Sequence, residues 1–249
     1  ATEFIPETPA LPQFQIIGHS SQILHINLAN GQACKAEKGT MMHMHNNVKM
    51  SMALTSKSFG SSMLTGMAGG ESMLSMRFEN QGEEMAYVAL TPNFPAKIIP
   101  INLDEHGGTL LCKSGAYMAQ LGTDIRVEAA GNPARSCAAF CCGGLNFFVQ
   151  RLSGQGYCFL NAGGSLVQHQ LADGQRLIVD TGSVVAFSQS IEFDVERTGG
   201  CQTCCCSGEG CYNTALTGPG TVYLQSMSLP KLRMALASAV KRQGTTADY

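Results

Sequence analysis

Five cysteines crowd into the eleven positions from Cys201 to Cys211. Cys201-x-x-Cys204 has the spacing of half a zinc site, and Cys201, Cys204, Cys206 and Cys211 offer the four thiolates a tetrahedral zinc takes. A second group, Cys137, Cys141 and Cys142, lies upstream. A different ligand set stands in TMMHMHNN, Thr40 to Asn47, where His43 and His45 sit among Met41, Met42 and Met44. Thioether sulfur and imidazole together suit copper. On a strand the two histidines share a face, with Met44 opposite. A lone DTGS, Asp180 to Ser183, resembles an aspartic-protease signature. That chemistry needs two aspartates sharing a proton, and a homodimer would have to supply the second. Asp104-Glu105-His106 reads as solvated turn residues. The chain carries no Gly-x-Ser-x-Gly elbow, no phosphate-binding loop of the Walker type and no His-Glu-x-x-His helix.

The elements that would position these residues come from internal repetition. CAAFCCGGLNFFVQRLSGQGYCFL, from Cys137, aligns without a gap on CQTCCCSGEGCYNTALTGPGTVYL, from Cys201. An earlier copy, MLTGMAGGESMLSMRFENQG, starts at Met63. A second motif recurs as LANGQACKAEKGTMM (28–42), LDEHGGTLLCKSGAYM (103–118) and LADGQRLIVDTGSVV (171–185). Three related units follow, at about 28–100, 103–168 and 171–229. Asn30-Gly31 and Asp173-Gly174 are hairpin signals between short alternating strands.

The repetition weighs on the chemistry. Met67-Ala68 stands in the first unit where the later units carry Cys141-Cys142 and Cys205-Cys206. A packed apolar position accepts that exchange, whereas thiolate ligation does not, so packing is the favoured reading of the cysteines. Zinc stays open for Cys201, Cys204, Cys206 and Cys211, and copper for His43 and His45. Ala186 and Ser188 replace the two histidines in the third unit, which favours a surface or oligomer-interface pair. Asp180 corresponds to Glu37 and to Lys113, so the repeats supply no second catalytic aspartate.

Composition sets the class. Of 249 residues, 44% are hydrophobic and 14% charged, with 16 basic against 18 acidic side chains and no basic block. The clustered lysine and arginine that neutralise phosphates are missing, which argues against nucleic acid. No apolar run reaches the ~18 residues of a membrane helix. The start, ATEFIPETPALPQF, lacks the basic and apolar regions of a signal peptide and opens on Ala, which points to a trimmed start and away from secretion. Its three prolines suggest an extended arm over 1–14. An odd count of eleven cysteines fits a reducing compartment. LPKLRMALASAVKRQG, from Leu229, suggests a short helix with Leu232, Leu236 and Val240 on one stripe, followed by a tail to 249. Its basic end could touch a membrane only indirectly.

Seven segments carry a family resemblance: AEKGTMM (36–42), GGESMLSMRF (69–78), LTPNFPAKIIPINL (90–103), GQGYCFLNAGGS (154–165), LADGQRLIVDTGSVVAF (171–187), GEG (208–210) and LTGPGTVYLQSMSL (216–229). The chain resembles the Altered Inheritance of Mitochondria twenty-four family, over about 15–230. The resemblance implies TRAP-like units, β-sandwich or double-stranded β-helix modules related to the tryptophan RNA-binding attenuation protein. It also implies self-association and, in eukaryotes, mitochondria. It carries no enzyme activity and no functional residues, and RNA binding does not come with the fold.

The expectation is an all-β protein: an arm (1–14), one TRAP-like domain of three pseudo-threefold repeats (15–230), and a C-terminal helix and tail (231–249). Its expected work is non-catalytic scaffolding, as a homo-oligomer or an accessory subunit of a membrane-associated or organellar complex. No cofactor is expected beyond the open zinc and copper readings. The expected location is an organelle in a eukaryote and the cytoplasm in a bacterium.

Overall fold

The computed structural model describes residues 2–3, 13–54, 74–122, 124–131, 149–197 and 212–244. The described chain is mostly antiparallel β-sheet with one short helix. Strand β1 is Thr2–Glu3 and β2 is Phe14–Ile17. The first third of the chain continues with β3 (Ile23–Leu28), β4 (Ala33–Glu37), β5 (Met41–Met44), β6 (Val48–Leu54), β7 (Leu74–Asn80) and β8 (Ala86–Leu90). The second third holds β9 (Lys97–Asn102), β10 (Thr109–Lys113), β11 (Tyr117–Leu121), β12 (Arg126–Gly131), β13 (Val149–Ser153) and β14 (Tyr157–Ala162). The last third holds β15 (Leu166–Leu171), β16 (Arg176–Val179), β17 (Val184–Ser188), β18 (Glu192–Arg197), β19 (Tyr212–Thr217) and β20 (Gly220–Gln225). The helix, α1, follows at Leu229–Gly244.

Alternation writes these strands. ILHINL in β3 buries every second residue, Leu24, Ile26 and Leu28, which is the period of a strand with one face on a core. YMAQL in β11 and FLNA in β14 are buried on both faces, because each strand lies inside a sheet between two packed layers. The buried Gln120 of β11 is satisfied there. It accepts from the Tyr117 hydroxyl at 2.8 Å and donates to the Ile125 carbonyl at 3.0 Å.

Four sheets result. Their orders are β1-β15-β20-β17-β10-β13-β12, β6-β7-β4-β11-β14-β9, β2-β3-β8-β5 and β16-β19-β18. In the first third β8 pairs with β3 and β5, and β7 pairs with β4 and β6. In the second, β14 pairs with β9 and β11, and β13 with β10 and β12. In the last, β20 pairs with β15 and β17, and β19 with β16 and β18. The β5·β8, β11·β14 and β17·β20 ladders each shift register once, after Met41, Tyr117 and Val184. Such bulges bend a strand and pin its register.

The Asn30-Gly31 and Asp173-Gly174 turns form, with Gly31 at φ 71° and Gly174 at φ 68°. They are not hairpins. β3 is flanked by β2 and β8, and β4 by β7 and β11, so neither has an edge left for the other. The turn carries the chain from one sheet to another. Three buried clusters fill the layers, around Phe78, Phe159 and Leu24, around Leu110, Leu152 and Leu160, and around Phe187, Leu216 and Phe193.

Helix α1 starts where Ser228 caps it, its hydroxyl accepting from the Lys231 amide at 3.4 Å. From Arg233 to Ala239 the helix is solvent-exposed, including Met234 and, from the apolar stripe, Leu236. Among the described residues no helix is long and apolar enough to cross a membrane.

Candidate functional site

Among the described residues β5 is an edge of the β2-β3-β8-β5 sheet, and this edge gathers the histidines. His43 on β5 lies opposite Ala89 on β8, and Ala89 lies opposite His25 on β3. Cross-strand partners point to the same face, so His25 and His43 flank the small, buried Ala89. Two positions along, Tyr87 projects from that face. Its ring stacks on His25 at 5.1 Å and meets His43 and His45 edgewise at 5.9 and 5.5 Å. These separations are those of interacting rings. His45 is placed by its own amide, which donates to the Tyr87 carbonyl at 2.9 Å, and its Nδ1 accepts from the Asn47 amide at 3.3 Å.

Burial first, and the charge of a protonated His43 second, hold His25 below the ordinary histidine range. The three imidazoles stand around a phenol ring. Among the described residues, no group of three or more His, Cys, Asp or Glu side chains is placed to hold a metal ion. Met41 and Met42 are exposed beside the histidines, so the edge is apolar and aromatic.

The cysteines named as zinc candidates, Cys201, Cys204, Cys206 and Cys211, lie outside the described residues, as do Cys137, Cys141 and Cys142. Three other cysteines are described. Cys34, Cys112 and Cys158 are buried in the core and none is in a disulfide. Burial pushes the Cys34 thiol up to about 12, and that of Cys158 up as well, so neither is a nucleophile at neutral pH.

Asp180 is a cap. Its Oδ1 accepts from the Gly182 amide at 3.1 Å and opens the short 3-10 turn Thr181–Ser183. Its Oδ2 accepts from Ser183 Oγ at 3.2 Å and from Lys231 Nζ at 2.7 Å. Burial alone would raise this carboxyl, but the Lys231 and Gly182 bonds and the Lys231 charge hold it below the usual aspartate value of 3.8. Its partners are an ammonium, an amide and a hydroxyl, and none can share a proton as a second carboxylate would. A depressed carboxyl adds stability above its unfolded pKa and loses it as pH falls through the folded value. Both ends of the ion pair are part exposed, at 42% and 30% of the side chain. Asp180→Asn is therefore expected to cost under about 1 kcal/mol at neutral pH. The gap should close as acid protonates Asp180 in the wild type, and urea midpoints taken down a pH series will read it.

His106, from the Asp104-Glu105-His106 stretch, is tied rather than solvated. Its Nε2 lies 3.3 Å from the Tyr223 hydroxyl, and burial lowers its pKa. Asn102 holds the turn, accepting from the Asp104 amide at 3.2 Å and donating to Glu105 at 3.1 Å.

His25 and Tyr87 are absent from the sequence-based candidates. Alternation places His43 and His45 on one face, but only the β3·β8·β5 register brings residues from three separate strands to one patch.

A protein of Streptococcus pyogenes serotype M6, described as uncharacterized, is 29% identical over 231 residues, covering 91% of this chain and 88% of that protein. A crystal structure of a Streptococcus pyogenes protein from a structural genomics programme matches with a TM-score of 0.69 at 25% identity, over 91% of this chain and 99% of that one. The model of the family described as mitochondrial biogenesis AIM24 matches residues 14–227, and the chain belongs to that family.

Proposed function

We propose that this protein is a non-catalytic scaffold that assembles through its β-surfaces, with itself or as an accessory subunit of a larger organellar or membrane-associated complex. The observation that carries this reading is the sheet end at β5, where Met41, Met42, His43 and Tyr87 form an apolar, aromatic surface on an open strand edge. Open apolar edges invite pairing, and proteins that do not use them blunt them. The described candidates for chemistry have other occupations: Asp180 caps a turn and the buried thiols pack.

We also read the architecture as three pseudo-repeated TRAP-like units. The pairing plan supports it, since in each third the sixth strand takes the first and third as neighbours and the fifth takes the second and fourth. The family name favours a mitochondrial home in a eukaryote. A bacterial source would place the protein in the cytoplasm.

Native mass spectrometry of the full chain, followed by a denatured spectrum, tests the reading. The expected result is a bare multimer whose subunits carry all eleven thiols reduced. A stoichiometric zinc or copper lost on denaturation would overturn it in favour of a metal-binding module. A bare monomer at every concentration would overturn self-assembly.

A further inference from the structure

The thirds of the chain are joined to one another by two sheet junctions. In the first, β4 pairs antiparallel with β11: Ala36 with Ala119, Lys35 with Gln120, and Cys34 with Leu121. In the second, β10 pairs antiparallel with β17: Cys112 with Ala186, Leu111 with Phe187, and Leu110 with Ser188. The intra-unit ladders identify the equivalent residues. Cys34 faces Phe78, Leu110 faces Leu152 and Leu177 faces Leu216, while His43, Ala119 and Ala186 each follow the register shift. By these equivalences the two junctions have the same register.

Each junction joins the second strand of one third to the third strand of the next. One of each is left over. Among the described residues, β16 pairs only with β19 and β5 only with β8, so the chain ends in a three-stranded sheet with β16 at its edge and a four-stranded sheet with β5 at its edge. The surfaces match this count. Met41 is 39% exposed and Met42 56%, whereas their equivalents at the formed junctions, Tyr117 and Met118 or Val184 and Val185, are 3% exposed or less. Ile178 on β16 is 51% exposed, and its equivalent Leu111 packs beside Phe187.

We infer that β16 of one copy adds to β5 of a second copy, head to tail, in the register of the internal junctions. Val179 then faces His43, Ile178 faces Met44 and Leu177 faces His45. The added strands complete a seven-stranded sheet, β18-β19-β16 of one copy continuing into β5-β8-β3-β2 of the next. The contact uses different patches on the two copies, so it closes into a ring or runs on as a filament according to the rotation per step. This inference rests on the assembly reading and names its surface.

The test uses two variants of the full chain, Met42→Lys on the β5 side and Ile178→Asp on the β16 side. Both positions are more than half exposed in the single chain, so wild-type circular dichroism is expected. By light scattering across concentrations, each variant alone should self-associate at least about tenfold more weakly than wild type. An equimolar mixture should form a one-to-one heterodimer and nothing larger, because each variant keeps the edge the other lacks. A mixture that fails to pair, or variants that assemble like wild type, would overturn the junction; the latter leaves the assembly reading standing. A wild-type monomer at all concentrations sinks both. Hydrogen exchange on the wild type needs no variant. The amides of 42–45 and 177–179 should gain protection together as concentration rises, and concentration-independent exchange there would refute the pairing.

Discussion

Phe159→Ala is expected to be the most costly core substitution, at about 3–5 kcal/mol of unfolding free energy. Phe159 is fully buried in β14, inside the six-stranded sheet. Phe14 of β2 meets its ring edge-on, with centroids 4.9 Å apart and planes at 80°. The same Phe14 contacts Tyr157 at 5.0 Å, so truncation opens a cavity and also loosens a second aromatic contact. The residue belongs to the second third of the chain but packs in the cluster of the first, with Leu24, Ile26 and Phe78. Its loss weakens a layer between two thirds. Urea unfolding followed by tyrosine fluorescence will measure the shift. A loss under about 1 kcal/mol would mean that the layer is not close-packed. Met52→Ala, at a position 72% exposed, is the control and should fall within about 0.5 kcal/mol of wild type.

Gly154→Ala should come close behind, for a backbone reason. Gly154 stands at φ +132°, where side chains are strained at a cost of about 1–3 kcal/mol. A Cβ there would lie 2.5 Å from the Asp124 carbonyl oxygen and 3.0 Å from the Ile125 Cα, both backbone atoms without a rotamer to yield. Crowding of that kind adds roughly another 1–3 kcal/mol. The glycine is where two turns touch, its amide donating to the Gly108 carbonyl at 3.0 Å. Asn80 and Gly218 make the matching bonds in the other thirds, to the Gln32 and Gln175 carbonyls at 3.0 and 2.9 Å. Thermal unfolding of Gly154→Ala beside Gly31→Ala will test the argument. Gly31 also has positive φ, but an added Cβ meets nothing within 4 Å. Gly31 lies at φ +71°, in the left-handed region that other residues enter at lower cost than φ +132°, so the difference between the variants reads the clash together with the added strain at Gly154.

Much of the fold was legible because it is written locally. Turn glycines, alternating burial and a 64-residue offset from Leu152 to Leu216 can all be read along the chain, and the ladders put those two leucines opposite Leu110 and Leu177. What could not be read is which strands adjoin across thirds. The Asn30-Gly31 turn looks the same whether its strands pair together or enter two sheets, and the choice is made by β2, β7, β8 and β11 occupying the edges. The site was half legible for the same reason. Strand alternation gives His43 and His45 a common face, whereas His25 and Tyr87 join them through long-range register alone. The role of Asp180 was hidden by Lys231, 51 positions away in sequence and 2.7 Å away in space.

The two shared sheets have a consequence for how the molecule comes apart. Strands β4 and β11 belong to different thirds but to one hydrogen-bonded ladder, and β10 and β17 likewise. No third owns all of the layer that covers its core. Stacked solenoids can fray from one end, because each repeat leans only on its neighbours. Here, peeling one third away uncovers the core of the next, which ties the whole to a single cooperative transition. Evolution inherits the same constraint: a terminal third cannot be trimmed or grafted as a cassette, and length can change freely only in the connections between strands.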